Sequence, residues 1–136
     1  MLMLNNEEAL NVFIAFLEQY YDRTCPNDTG IIAEALRNKN CRTHEQQDLL
    51  NSWENSLKEI AYSQLKKNGL ENINEYTEKD VFEAIILMLE KYYEKTNSDD
   101  IGSFLGDLQH PSYGVTADPA AWHDWQRCLQ QIKCTR

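Results

Sequence analysis

The chain has 136 residues, 42% hydrophobic and 26% charged, with 5 Gly and 3 Pro. A chain of this length buries roughly two-thirds of the surface it exposes when unfolded, so a core needs neither metal nor disulfides, and the composition excludes a largely disordered chain. Its 22 acidic and 13 basic residues give a net charge of −9, which repels nucleic acid and anionic membranes and speeds encounter with basic proteins.

The first predicted helix carries Leu10, Phe13, Ile14, Leu17, Tyr20 and Tyr21 on one face at i, i+3, i+4, i+7 spacing. Asn5 and Glu8 have capping-box spacing at its start, and Pro26 ends it. A short second helix follows, capped by Asn27 or Asp28 and carrying Ile31, Ile32, Ala35 and Leu36. Thr43 and Gln46 form the box of a longer third helix with Leu50, Trp53, Leu57, Ile60 and Leu65, closed by Gly69. The same three elements then recur. Thr77 and Asp80 open a helix with Phe82, Ile85, Ile86, Leu89, Tyr92 and Tyr93, ended at Asn97-Ser98. Ser98 or Asp99 caps Ile101, Phe104, Leu105 and Leu108. Asp118, followed by Pro119 at the first helical position, opens a last helix with Trp122, Trp125, Leu129 and Ile132.

A shift of 72 residues lays the chain on itself without gaps. Tyr20-Tyr21, Asp28, Gly30, Leu36, Trp53 and Leu57 fall on Tyr92-Tyr93, Asp100, Gly102, Leu108, Trp125 and Leu129. The fold expected is an all-α bundle of about six helices, a single domain of two three-helix repeats (8–64 and 80–136) related by pseudo-twofold symmetry, its helices packed orthogonally, with next to no sheet. Gly30 and Gly102, lacking side chains, permit close helix contact. Trp53 and Trp125 belong to the core.

Searching for chemistry finds little. His44-Glu45 lacks the second histidine of a zinc-protease motif, and Cys128, Cys134 and His123 match no standard zinc spacing. The other cysteines are Cys25 and Cys41; all four read as free thiols in a reducing compartment. Asp80 with Glu83 has the Glu-x-x-Glu spacing used by magnesium-dependent nucleotide hydrolases, and Glu90 and Glu94 lie one turn apart, but no second clean motif follows and all four flank an apolar stripe and read as solvated helix sides. Neither a catalytic residue nor a cofactor nor a metal is expected. Residues 1–10 lack the basic region of a signal peptide, and no stretch approaches the ~18 apolar residues of a membrane span, so the expected location is cytoplasmic.

Function is sought where the copies differ. Between Lys95 and Arg127 there is no Lys or Arg, whereas the first copy has Arg37, Lys39 and Arg42. This stretch holds Asp99, Asp100, Asp107, Asp118 and Asp124, with Tyr113 in the connecting loop. Asp107, Tyr113 and Asp124, with Asp100 and Asp99 beside them, form the candidate partner-binding patch. Tyrosine supplies contact area at low entropic cost, and carboxylates pair with Arg or Lys. Asp99 or Asp100, and Asp118, also serve as helix caps.

Residues 80–132 resemble a family of small bacterial immunity proteins, including those of contact-dependent growth-inhibition systems. The resemblance rests on Tyr92-Tyr93, Ser98-Asp99-Asp100, Leu105, Asp107-Leu108, Asp118-Pro119-Ala120, Trp122 and Trp125. The first half matches only as a degraded copy, with Gln46-Gln47 where Asp118-Pro119 stand. The resemblance implies an inhibitor that binds a cognate toxin domain, often a basic nuclease, and blocks its active site or substrate groove. The alternative is an acidic adaptor or homodimeric scaffold with no toxin, and behind it a magnesium-dependent nucleotide hydrolase.

Overall fold

A computed structural model describes residues 3–24, 27–38, 43–68, 75–109 and 113–134. Among these are six helices and two short strands: β1 (Met3–Leu4), α1 (Asn6–Thr24), α2 (Asn27–Arg37), α3 (His44–Asn68), β2 (Tyr76–Thr77), α4 (Glu78–Thr96), α5 (Asp99–Leu108) and α6 (Pro119–Cys134). The all-α expectation holds, with the strand pair as its small exception. Pro26, Gly69, Cys25 and Cys41 lie outside the described residues.

The caps form as the side chains dictate. Asn5 Oδ1 accepts from the Glu8 amide at 2.8 Å, and the Asn5 amide donates to Glu8 Oε1 at 3.1 Å. Thr43 and Gln46 make the same reciprocal pair. Thr77 caps α4 by accepting from the Asp80 amide at 3.0 Å. Of the two candidates for α5, Ser98 is the cap, accepting from the Ile101 amide. Asn97, in the left-handed region at φ 52°, ends α4.

The two halves meet about a pseudo-twofold axis. Helices α1 and α4 begin and end at positions 72 apart. β1 and β2 pair antiparallel with Leu4 opposite Tyr76, its own counterpart, and Met3 opposite Thr77. This is the register that a twofold axis between Leu4 and Tyr76 generates. A second contact lies on the same axis: the Asp28 amide donates to the carboxylate of Asp100, its counterpart, at 3.3 Å. The third helices are exchanged across the axis, with α3 packed on α4 and α6 on α1. Each repeat therefore completes its core with a helix of the other.

The core runs through all six helices. Trp53 packs on Phe13 at 4.6 Å between ring centroids, and Trp125 on Phe16 and Phe82 at 5.4 and 5.2 Å. In each Tyr-Tyr pair the first ring turns inward and the second covers a glycine. A Cβ on Gly30 would meet Tyr21 Cε2 at 3.0 Å, and one on Gly102 would meet Tyr93 Cε2 at 2.9 Å. The missing side chains make room for these rings.

Asp80 is buried at the start of α4. Burial pushes its carboxyl pKa up, outweighing the Thr77 hydrogen bond and the Lys79 charge that pull it down. A carboxyl raised by folding binds its proton more tightly in the native state. Its stabilising contribution is therefore full below the unfolded-state pKa and lost as pH rises through the folded-state value. Asp80→Asn, which cannot ionise, should gain on the native chain as pH rises from acid to neutral. A urea-midpoint difference that does not change with pH would refute this.

Candidate functional site

Helix α1 supplies the cation that residues 96–126 lack. Arg23 Nη1 lies 3.2 Å from Asp118 Oδ2, and Arg23 Nε 3.2 Å from Asp124 Oδ2. The guanidinium also sits 5.3 Å from the centre of the Tyr20 ring. Burial pulls the Arg23 pKa down; the hydrogen bond and charge of Asp124, with Asp118 behind it, outweigh that and raise it. Tyr20 Oη donates to Asp107 Oδ2 at 2.8 Å, and its ring stacks on Phe104. For Asp118 and Asp124 the lack of a cation along residues 96–126 is made good here, because Arg23 comes from the other half of the chain, which residue spacing does not reveal; among the described residues the Asp107 carboxylate meets only the neutral Tyr20 hydroxyl.

Tyr113 is half-buried rather than presented on an open loop. Its ring packs edge-on against Trp122 and Phe82, and its hydroxyl accepts from Trp125 Nε1 at 2.7 Å. Burial raises its pKa, against the opposing effect of the Trp125 hydrogen bond. Asp124 is buried, Asp107 and Asp100 are half-buried, and Asp99 is exposed in the first turn of α5. The structure thus brings Asp107 and Asp124 to one cluster around Arg23. It puts Tyr113 in the aromatic layer beside that cluster, Asp100 on the pseudo-twofold axis, and Asp99 in solvent.

Among the described residues no group of His, Cys, Asp and Glu is placed to hold a metal ion. Cys128 is buried, and burial together with the Asp124 charge pushes its thiol up to about 12, far from the thiolate that nucleophilic chemistry requires. Cys134 is exposed at the end of α6. No helix among the described residues is long and apolar enough to cross a membrane.

A different surface emerges around α2. Ile31 is 53% exposed, a large apolar side chain in water on a helix whose other isoleucine, Ile32, is fully buried. Grooves run along both sides of it. One, of about 760 Å³, lies between α1 and α2 and is lined by Glu18, Tyr21, Asp22, Glu34 and Arg37. The other, of about 600 Å³, lies between α2, α3 and α4 and is lined by Glu45, Asp48, Leu49, Tyr92, Glu94 and Lys95. Arg37 is ion-paired to Glu18. Lys91, at the edge of the second groove, is held by Ser56 and Glu59 at 3.2 Å. The Asp22 and Glu34 side chains have no ion-pair partner among the described residues. The composition of α2 did not reveal this surface, since adjacent apolar residues such as Phe16 and Leu17 of α1 are both buried in the same core. The grooves depend on tertiary packing and leave no trace in the sequence. Neither a family model, nor a curated protein, nor a solved structure matches this chain.

Proposed function

We propose that the protein is an immunity-type inhibitor that binds a basic toxin domain and blocks its active site or substrate groove. The carrying observation is where carboxylates exceed cations. The aspartates of the second half are largely engaged within the fold, by Arg23, Tyr20 and the axis contact. Carboxylates outnumber cations along α1, α2 and the start of α3. A net charge of −9 with such a surface suits rapid capture of a cationic protein whose own groove is shaped for phosphates. The resemblance of residues 80–132 to immunity proteins supports the same reading.

The test takes the product of the gene adjacent to this chain's own, assayed as a toxin. A one-to-one complex should form, stoichiometric addition should abolish toxin activity, and the association rate constant should fall roughly tenfold or more as salt is raised. Absence of a complex, or a complex in which the toxin stays fully active, would overturn the reading.

A further inference from the structure

The two halves share a plan, so each surface can be judged against its counterpart. The junction of α5, α6 and α1 corresponds to the groove between α2, α3 and α4. In the first, Tyr20, Arg23, Asp107, Asp118 and Asp124 lock together. In the second, the matching positions are Tyr92, Lys95, Ala35, Gln46 and Ser52. None of the three carboxylates is present, and Lys95 has no ion-pair partner among the described residues. The junction that is bridged in one half is an open groove of about 600 Å³ in the other. Beside it stands Ile31, where α5 has Ser103, and Glu34, where α5 has Gly106. The shared fold does not require an exposed isoleucine here, because the sister helix does without one.

We propose that the α2 face centred on Ile31 is the docking surface for a basic protein segment, which seats an apolar side chain against Ile31 and directs Lys or Arg side chains to the carboxylates around it. This deepens the toxin-inhibitor reading and rests on it for the partner's identity. Charge selects the occupant. Six carboxylates line the two grooves against Arg37, Lys91 and Lys95; Arg37 pairs with Glu18 and His44 with Asp48 among the six, Lys91 pairs with Glu59 outside them, and Asp22, Glu34, Glu45 and Glu94 have no ion-pair partner among the described residues. A second copy of this chain would bring like charge against like. An apolar contact ringed by opposite charges is the arrangement in which a central side chain dominates affinity.

The experiment titrates the full chain with a synthetic amphipathic peptide of lysine and leucine, followed by amide chemical shifts. Shift changes should concentrate on residues 18–37 and 45–52. Ile31→Ser should weaken peptide binding about tenfold. Val115→Ser, at a comparably exposed apolar residue, should leave binding unchanged. Changes concentrated on α5 and α6, or an Ile31→Ser chain that binds as the native one does, would overturn the proposal. The peptide has no toxin activity, so that failure is distinct from failure to bind the toxin domain. If the toxin domain binds and tolerates Ile31→Ser without loss, the docking face is wrong while toxin capture stands.

Discussion

Trp125→Ala is expected to destabilise the chain by about 3–5 kcal/mol, the usual cost of emptying a large aromatic site in a packed core. Domains of this size are stable by roughly 5–15 kcal/mol, so the loss is a large fraction of the total. The size of the effect follows from three roles in one side chain. The indole is fully buried and packs on Phe16 of α1 and Phe82 of α4, so it joins the first helices of both repeats. It sits on α6, which is packed across the axis on α1. Its Nε1 donates to Tyr113 Oη, and truncation leaves that half-buried hydroxyl without this donor. Urea denaturation of native and variant chains gives the comparison. A loss below about 1 kcal/mol would mean that the site collapses around the gap, and that the exchange of third helices contributes little to stability.

The helices were legible because their signals are local. Caps such as Asn5–Glu8 and Thr43–Gln46 act within four residues, and the apolar stripes of α1 and α4 show the helical period directly. The duplication made these readings firmer, since each signal appears twice. What sequence could not show was which charges meet. Arg23 and Asp124 are 101 positions apart, and only the packing of α6 on α1 joins them. An aspartate that looks free in a stretch without Lys or Arg can therefore be bridged from the other repeat. The strand pair was missed for a similar reason. Two residues show no alternation, and their pairing follows from the axis rather than from strand propensity. The surface around Ile31 was hidden by its own composition: an isoleucine in an amphipathic helix reads as core, and one turned to water differs from it only in position around the helix.

The Arg23 cluster yields the second large effect. Arg23→Met is expected to cost about 2–3 kcal/mol. Removing one partner of a buried, hydrogen-bonded ion pair costs roughly 3–5 kcal/mol, and the figure belongs at or below the low end because the Arg23 side chain is one-third exposed. The loss arises on the other side of the pair. The Asp124 side chain is only 8% exposed and would be left buried without its cation, while Asp118 reaches solvent and suffers less. The pseudo-symmetric control is Lys95→Met. It removes a charge from the matching position of α4, where Ser52 stands in place of Asp124, and should stay within about 0.5 kcal/mol of the native chain. Adding Asp124→Asn to Arg23→Met should recover part of the loss, because no buried charge then lacks a partner, and a double-mutant cycle should return a coupling energy of about 1–3 kcal/mol. Equal costs for Arg23→Met and Lys95→Met would show that the bridge to α6 does no more than an exposed charge does. The contrast between a junction closed from within and a groove left open, on which the docking proposal depends, would then lose its energetic basis.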